Sequence, residues 1–377
     1  MNKELQLLLL PEKKEVPLVK QVILNKDKFI QILNKILHIN DLVDIRKEIA
    51  MIRDIIGDYK KDNIGILNIT NDGNTVVLRQ DVLISELTKI IEAQTIERAK
   101  YYIKRLKEGV EKVKTTKIND INLLRWKEYD EIITDSLWIL KKRDSSGAHL
   151  GWYWGNFIPQ IPHQMMLRYT KKDEWVLDPF VGSGTTLIEC RRLGRNGIGI
   201  ELNPEVAEKA KRLVEKEENK YQVITEIIVG DSRTIGMKQI LDKHKINKVQ
   251  LLIMHPPYHD IIKFSKDPRD LSNARNLGKF LKMFNEVLQN TIPFLEKDRY
   301  FVLVIGDKYS KGEWIPLGFY CMQEVLNTKE FILKSIIVKN FEETRGKRNQ
   351  KELWRYRALV GGFYVFKHEY IMVFKKK

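Results

Sequence analysis

Residues 249–258 read VQLLIMHPPY, an apolar run of strand length followed by His255, Pro256, Pro257 and Tyr258. Proline cannot donate to a sheet ladder and holds φ near one value, so the strand must end where the two prolines begin. The resulting elbow is stiff, and it carries an imidazole and a phenol directly after a buried strand. A turn of this kind is suited to hold polar groups still beside a ligand.

Three acidic residues, Asp178, Glu201 and Asp231, each end an apolar run of strand length. The carboxyl ends of parallel strands share one edge of a sheet, and that edge is where such sheets bind ligands. A single acidic residue at a strand end usually caps the next helix, but three in succession favour a ligand site. Glu201 follows Asp178 by 23 residues, a position from which a carboxylate can accept hydrogen bonds from ribose hydroxyls.

The segment VLDPFVGSGTTLIEC (176–190) contains the first of these carboxylates and a glycine-rich turn. Gly182 and Gly184 allow the backbone to approach a ligand closely, and the helix that follows presents N–H groups at its start. Leu187 stands where a nicotinamide-binding fingerprint has its third glycine, and no Gly-Lys-Ser/Thr follows. The segment therefore fits neither a dehydrogenase nor a P-loop.

Seven apolar runs of strand length follow residue 150, and the first few alternate with helical segments, the pattern of a doubly wound, mostly parallel sheet. The runs are WVLD (175–178), GIGIE (197–201), TEIIVGD (225–231), VQLLIM (249–254), RYFVLVIGD (299–307), FILKSIIVK (331–339) and EYIMVFK (369–375). The sequence thus predicts an α/β catalytic domain over residues 149–377.

Residues 1–140 are rich in Lys, Glu, Ile and Leu, and the periodicity of 29–37 and 81–113 predicts a mainly helical region. The Asp-Gly turn in NITNDGNTVV (68–77) predicts a short hairpin. No internal repeat is evident in the sequence. The segment KKRDSSGAHLG (141–151) is typical of a linker. We expect the helical region to serve target recognition or dimerisation. The protein is accordingly expected to be either a monomer or a homodimer.

Residues 149–375 resemble the S-adenosylmethionine-dependent DNA amino-methyltransferases, the N4-cytosine/N6-adenine group. The matching motifs are FVGSG (180–184), GIELNP (199–204), GDS (230–232) and HPPY (255–258), with NFIPQIPHQMMLRYT (156–170) upstream. The resemblance implies a Rossmann-like class I methyltransferase fold, with helices on both faces of a seven-stranded, mostly parallel sheet, and S-adenosylmethionine as cofactor. The cofactor-binding residues that it implies are Phe157, Pro159, Asp178, Phe180, Gly182, Ser183, Gly184, Thr185, Glu201, Asn203 and Asp231.

In that family the proline elbow is the catalytic site, here His255, Pro256, Pro257 and Tyr258. The lone pair of a base amine is delocalised into the ring, so His255 and the carbonyl of Pro256 would accept hydrogen bonds from the amine. Tyr258 would stack on a base that is flipped out of the duplex. The family usually has Ser, Asp or Asn where His255 stands.

A histidine at this position predicts a pH dependence, because only the neutral imidazole can accept a hydrogen bond. Activity is expected to fall as the pH drops through the pKa of His255. A flat profile between about pH 5.5 and 8 would count against a direct role.

Only about 20 residues separate GDS from HPPY, which leaves no room for a recognition insert between them. Two basic segments, 259–276 and 340–366, are the candidates for DNA contact, since cations suit phosphates and aromatic rings suit bases. The residues expected to contact DNA are Lys263, Lys266, Arg269, Arg345, Lys347, Arg348, Trp354, Arg355 and Arg357.

The composition favours a polyanionic partner, because 66 Lys and Arg against 50 Asp and Glu leave a net charge of +16. Cys190 and Cys321 lack the spacing of zinc ligands, so no metal is expected. The N-terminal apolar run is too short for a signal peptide, and no stretch approaches the length of a membrane span. We therefore expect a soluble, cytoplasmic protein without a membrane partner.

The sequence as a whole predicts a site-specific methyltransferase that acts on double-stranded DNA, as in restriction-modification systems. N4 of cytosine is favoured because PPYHDIIKFS is closer to the Ser-type members, and N6 of adenine is second. An RNA or protein-amide methyltransferase and an inactive DNA-binding subunit stay open, as does a cognate restriction endonuclease as partner.

Overall fold

The computed structural model describes residues 20–58, 62–69, 74–340 and 351–377. The chain forms two compact units, Met1–Thr115 with Asn122–Asp130, and Thr116–Ile121 with Glu131–Lys377. The predicted linker, 141–151, is instead packed into the second unit, where His149 is buried against Glu189. Within the described ranges, no helix is long and apolar enough to cross a membrane.

The first unit consists of strands and amphipathic helices around one apolar core. Its described elements are β1 (Gln21–Asn25), α1 (Lys26–Leu37), α2 (Leu42–Asp58), β2 (Thr75–Arg79), α3 (Gln80–Ile91) and α4 (Ile96–Glu111), followed by a 3-10 turn at Leu123–Glu128. The two strands pair antiparallel.

These elements are two copies of a strand–helix–helix repeat. Ile23 pairs with Val77 at the centre of the β1–β2 ladder, and the two are also equivalent residues of the copies, 54 positions apart. Seven of the seventeen residues in 21–37 are identical to the residue 54 positions later. The buried positions also correspond, as in Val22/Val76, Leu24/Leu78, Phe29/Leu83, Leu33/Leu87 and Ile36/Ile90. A pseudo-twofold axis therefore passes through the Ile23–Val77 pair.

The repeat corrects three expectations from the sequence. A repeat is present, although none was evident. Residues 75–79 form a strand, but their partner is β1 rather than a neighbouring strand, while the turn residues 70–73 lie outside the described part of the chain. The single helical run predicted over 81–113 is two helices, because Thr95 caps the second by accepting a hydrogen bond from the Arg98 amide.

The second unit is built around an eight-stranded sheet. Its elements are β3 (Leu137–Trp138), α5 (Gln160–Tyr169), β4 (Trp175–Asp178), α6 (Thr185–Leu193), β5 (Asn196–Glu201), α7 (Pro204–Lys216), β6 (Thr225–Val229), α8 (Met237–Lys243), β7 (Val249–Met254), α9 (Leu277–Thr291), β8 (Leu295–Ile305), β9 (Lys308–Ser310), β10 (Glu313–Ile315), α10 (Leu317–Asn327), β11 (Phe331–Asn340), α11 (Lys351–Gly361) and β12 (His368–Lys376).

The strand order is β3-β11-β12-β8-β7-β4-β5-β6, and only β12 runs antiparallel to its neighbours. From β4 the chain adds β5 and β6 on one side and then returns to add β7 and β8 on the other. The direction of winding thus reverses between β4 and β7, and such a reversal opens a crevice at the carboxyl ends of the strands.

Helices cover both faces of this sheet. The strand β7 illustrates the layering, because Leu252 and Met254 belong to the core under α8, α9 and α10, whereas Leu251 and Ile253 belong to the core under α5. A strand buried on both faces is apolar at every position rather than at alternate ones. This explains why continuous apolar runs marked the strands in the sequence.

The predicted Rossmann-like α/β fold is confirmed, and each of the seven predicted runs contains a strand. The strand in the fifth run begins at Leu295, four residues earlier than predicted. The two-residue β3 and the small β9–β10 hairpin were not predicted, since elements of two or three residues are too short to show a period.

Candidate functional site

A cavity of about 1140 Å³ opens in the second unit, lined by residues that follow β4, β5, β6 and β7 and by part of the segment 140–158. Pockets for single small ligands commonly measure about 300–1,000 Å³. The cavity therefore has room for one cofactor-sized molecule together with a second planar group.

The glycine-rich turn after β4 forms one wall of the cavity and leads into α6. Gly182 and Gly184 both have positive φ, +50° and +83°. A Cβ on Gly184 would lie 2.9 Å from Cγ2 of Val214, and one on Gly182 would lie 3.0 Å from Cε1 of Tyr153. Glycine is therefore required at both positions for backbone geometry and for space.

Asp178 fixes this turn from behind. Its Oδ1 accepts a hydrogen bond from the Phe180 amide at 2.9 Å, and its Oδ2 accepts one from the Thr186 hydroxyl at 2.6 Å. Burial raises the pKa of Asp178 to about 6, although both hydrogen bonds act in the opposite direction. The side chain is fully buried and does not line the cavity, so its contribution is to the shape of the turn.

The predicted cofactor residues thus separate into two groups. Those that line the cavity are Phe157, Phe180, Gly182, Ser183, Glu201 and Asp231. Those that lie behind the lining are Pro159, Asp178, Gly184, Thr185 and Asn203. The second group caps helices or supports the first, as Asn203 does by capping α7.

Glu201 lies at the end of β5 with its carboxylate on the cavity wall. Its Oε2 accepts a hydrogen bond from the Gly182 amide at 3.1 Å and its Oε1 one from the Asn203 amide at 2.9 Å. Burial raises the pKa of Glu201 to about 7, and the nearby Asp270 carboxylate adds to the effect. The oxygens keep lone pairs for further donors, which is what a ribose diol offers.

Asp231 also lines the cavity, but its carboxylate already has a partner. The Arg233 guanidinium lies 2.7 Å from Oδ2, and the Arg233 backbone amide donates to Oδ1 at 3.0 Å. Asp231 therefore positions Arg233 and the turn after β6, besides offering its remaining lone pairs to a ligand.

Four cavity-lining residues that the sequence did not single out carry buried donor atoms with no hydrogen-bond partner among the described residues. They are Arg143 (Nε and Nη2), Trp152 (Nε1), Asn156 (Nδ2) and Asn340 (Nδ2). Buried donors are nearly always paired in folded proteins. These atoms are almost inaccessible in the ligand-free structure, so a ligand in the cavity would pair with them only after a movement of the side chains.

The wall that bears these residues is held by a buried charge cluster. Glu189 on α6 accepts from Nε2 of His149 at 2.5 Å and from Nδ1 of His163 at 2.6 Å. Burial alone would raise the pKa of Glu189, but the hydrogen bonds from the two histidines outweigh it and lower this pKa. Asp144, His149 and Glu189 have metal-ligand spacing, but Arg192 lies 3.2 Å from Asp144 and 3.4 Å from Glu189 and supplies the positive charge there.

The proline elbow borders the same cavity, and all four of its predicted catalytic residues line it. The Nε2 atom of His255 lies 3.2 Å from the Tyr258 hydroxyl. That hydroxyl donates to Oε2 of Glu369 at 2.8 Å, and Nζ of Lys339 donates to Oε1 of Glu369 at 2.8 Å. A Cβ on Gly306 would lie 2.9 Å from the Tyr258 ring, so the absence of a side chain there lets the ring pack.

The electrostatics of the elbow correct the pH expectation drawn from the sequence. Burial lowers the pKa of His255 to about 4; the Glu369 carboxylate opposes this shift and the Lys339 ammonium adds to it. The imidazole is therefore neutral throughout pH 5.5–8. A flat activity profile over pH 5.5–8 is therefore compatible with a direct role of His255. The sequence alone predicts the opposite, that a flat profile would count against such a role.

The predicted DNA-contact residues are only partly gathered at the cavity. Arg269 and Trp354 line it, and the Arg357 guanidinium lies 5.3 Å from the Trp354 ring. Lys263, Lys266 and Arg355 are exposed away from the lining, and Lys263 donates to the Ser272 carbonyl. Arg345, Lys347 and Arg348 lie outside the described residues.

The fold and the cavity together define a Rossmann-like protein with a crevice at the switch point of its sheet, the place where sheets of this kind bind nucleotide-type ligands. The model of one family, described as DNA methylase (N6_N4_Mtase), matches residues 20–212. The chain belongs to this family. Membership implies S-adenosylmethionine as the methyl donor.

Two relatives and one solved structure illustrate the extent of the similarity. The type II methyltransferase M.MjaII of Methanocaldococcus jannaschii is 44% identical over 52 residues, which is 14% of this chain and 10% of that protein. The tRNA (guanine(10)-N2)-dimethyltransferase of the same organism is 28% identical over 229 residues, 58% of this chain and 62% of that protein. The chain thus spans less than two thirds of either relative.

TrmN of Thermus thermophilus is 14% identical, with a TM-score of 0.37 over 59% of this chain and 49% of that one. A TM-score this low supports no conclusion about function.

The residues present fit S-adenosylmethionine. The Glu201 carboxylate suits the ribose hydroxyls, and Gly182 leaves space where a Cβ would meet Tyr153. The unpaired donors of Trp152 and Asn156 suit acceptor oxygens or ring nitrogens.

Proposed function

We propose that this protein transfers a methyl group from S-adenosylmethionine to the exocyclic amine of a base in double-stranded DNA, with N4 of cytosine as the first candidate and N6 of adenine as the second. The observation that carries the proposal is that the HPPY elbow and the Glu201 wall border one cavity. The family supports the chemical class, and the similarity of the elbow to Ser-type members supports the preference for cytosine.

The elbow suits the difficulty of this reaction. S-adenosylmethionine supplies, when bound, a sulfonium methyl group that is transferred to a nucleophile. A base amine is a poor nucleophile because its lone pair is delocalised, so the protein must accept hydrogen bonds from the amine hydrogens. The Pro256 carbonyl and the neutral His255 ring provide two acceptors on one rigid turn. Holding the amine still in this way is the main catalytic contribution expected of these residues.

A base in a duplex reaches such a cavity only when it is flipped out of the stack. The space of about 1140 Å³ accommodates both the cofactor and a base. Trp154 and Ile261 belong to the cavity lining yet are 67% and 50% exposed, as expected of side chains that meet the displaced strand. Arg143 borders the cavity with two unpaired guanidinium nitrogens, which would pair with a flanking phosphate only after the side chain turns toward it.

A second candidate is methylation of a guanine amine in tRNA. Its support is the 28% identity to a tRNA (guanine(10)-N2)-dimethyltransferase over 229 residues, a much longer match than the 52 residues shared with M.MjaII. A guanine amine presents the same chemistry to the elbow as a cytosine or adenine amine. The two candidates therefore differ in how the nucleic acid reaches the cavity.

Transfer of labelled methyl groups separates these candidates. Purified full-length protein is incubated with labelled S-adenosylmethionine and either duplex DNA or bulk tRNA, and incorporation is counted. We expect label in DNA, and loss of label when Pro257 is replaced in Pro257→Ala. Label in tRNA alone would favour the second candidate. No transfer and no cofactor binding by calorimetry would point to an inactive subunit.

The proposal also includes a role for the strand–helix–helix repeat and a protein partner. We assign the strand–helix–helix repeat to target recognition or dimerisation, and a cognate restriction endonuclease is the expected partner if the DNA activity holds. Co-purification of the full chain with DNA, and its mass in solution, test these assignments.

A further inference from the structure

Four side chains form a continuous hydrogen-bonded chain behind the elbow, from His255 through Tyr258 and Glu369 to Lys339. The three links measure 3.2, 2.8 and 2.8 Å. Lys339 and Glu369 are paired residues of the neighbouring strands β11 and β12. Their side chains are 5% and 4% exposed, although both residues border the cavity. A buried ion pair at this position requires an explanation, because desolvation makes such pairs poor sources of stability.

The direction of each hydrogen bond in the chain is determined by its members. The Lys339 ammonium can only donate, and the Glu369 carboxylate can only accept. The Tyr258 hydroxyl therefore gives its single proton to Glu369. Its oxygen can then only accept from His255, so the proton of the neutral imidazole must be on Nε2. Among the described residues, Nδ1 of His255 has no hydrogen-bond partner.

We propose that Glu369 and Lys339 are positioning residues that fix His255 in the Nε2–H tautomer, so that Nδ1 accepts a hydrogen from the target amine. This inference rests on the proposed function and deepens it. It also explains the departure of this chain from the family pattern. A Ser, Asp or Asn side chain has an oxygen acceptor in any case, whereas a histidine becomes a defined acceptor only when a partner fixes its tautomer.

The relay makes an unusual prediction for Glu369→Gln. The amide oxygen of the new side chain must face the Lys339 ammonium, which places its NH₂ group toward Tyr258. The Tyr258 oxygen then accepts from this amide and gives its own proton to Nε2 of His255. The imidazole proton moves to Nδ1, which becomes a donor and can no longer accept from the amine. An isosteric change thus reverses the whole chain, as a carboxylate-to-amide change does in a catalytic triad.

The double variant Glu369→Gln with Lys339→Met should restore the original tautomer in part. Without the ammonium, the amide is free to turn its oxygen toward Tyr258, and the hydroxyl again donates to it. The double variant removes both charges of the Lys339–Glu369 pair, so it is expected to fold better than the single variant. A merely structural pair would also fold better in the double variant than in the single variant, so the His255 tautomer is the readout that distinguishes the relay from a structural role.

The test combines nitrogen NMR of full-length protein labelled in histidine with methyl-transfer kinetics. In the unaltered protein we expect His255 protonated on Nε2. In Glu369→Gln we expect protonation on Nδ1 and a fall in kcat of about 10²-fold or more, the scale of a positioned proton acceptor, with an unchanged Kd for S-adenosylhomocysteine. The double variant should regain Nε2 protonation and at least about tenfold of the lost kcat.

Glu174→Gln is the matched control, because Glu174 pairs with the buried Arg299 away from the cavity lining. It should leave both the His255 tautomer and kcat unchanged. The inference is overturned if Glu369→Gln keeps the Nε2–H tautomer or methylates at the unaltered rate. Absence of methyl transfer by the unaltered protein would instead reject the proposed function, and the NMR readout would still decide on the relay.

Discussion

We propose that the Glu201 carboxylate accepts hydrogen bonds from both ribose hydroxyls, so binding of the cofactor should weaken as the pH falls below about 7 and protonation removes acceptor lone pairs. Burial, assisted by Asp270, raises the pKa of this carboxyl to about 7. Below that pH a proton occupies the carboxyl in the free protein and competes with the ligand. Above it, the carboxylate is already ionised and the affinity reaches its limit.

The magnitude follows from the linkage of one proton to one ligand. The apparent Kd is multiplied by one plus the ratio of protonated to ionised Glu201 in the free protein. With a pKa of about 7, this factor is close to 1 at pH 8 and about 11 at pH 6. The Kd should therefore rise about tenfold between these values, which corresponds to about 1.4 kcal/mol.

Calorimetric titration with S-adenosylhomocysteine at pH 6, 7 and 8 measures this change. Glu201→Gln should bind more weakly at pH 8 and lose most of the pH dependence. Glu226→Gln is the control, because Glu226 lies on β6, pairs with Lys243 and His244, and does not line the cavity. A change in Kd of less than about twofold in the unaltered protein, or an undiminished change in Glu201→Gln, would refute the reasoning.

Three further outcomes are expected. At saturating cofactor, kcat should be flat over pH 5.5–8 and fall only toward pH 4, where His255 becomes protonated; a midpoint near 6.5 would mean an exposed, ordinary histidine. Gly184→Ala should cost about 1–3 kcal/mol of backbone strain, and it should also weaken cofactor binding, because its Cβ would meet Val214 and displace the glycine-rich turn. Gly312→Ala has the same φ of +83° and nothing within 4 Å, so it should show the strain alone. Glu189→Gln should lower the free energy of unfolding by about 3–5 kcal/mol in urea titration, and equal stability would show that the His149–Glu189–His163 cluster is dispensable.

The parts of the molecule that were predictable from the sequence are those determined by local patterns. Strands buried on both faces must be apolar throughout, so β4, β5 and β7 were visible as runs such as VQLLIM. The glycine turn and the proline elbow were visible because backbone geometry restricts them to particular residues.

The repeat in the first unit could have been found, since seven of seventeen residues recur at a spacing of 54. The signal is weak because the recurring residues are ordinary core positions such as Leu24/Leu78 and Leu33/Leu87, and each copy alone has the pattern of any amphipathic helix.

The residues around the elbow could not be predicted in the same way. Glu369 is 111 positions from Tyr258 in the chain, and only the pairing of β11 with β12 brings it beside Lys339. Arg143, which borders the same cavity, lies in a segment with the composition of a linker. Their importance depends on burial and on unpaired donors, and neither property is encoded locally.

Sequencing of DNA from a methylation-free host that expresses the full chain tests the central claim most directly. The method must distinguish N4-methylcytosine from N6-methyladenine and report the position of each. The account predicts a modified exocyclic amine at one defined sequence motif, N4-methylcytosine in the favoured case, and none with the Pro257→Ala variant expressed at the same level. Unmodified DNA from cells that contain folded, cofactor-binding protein would contradict it.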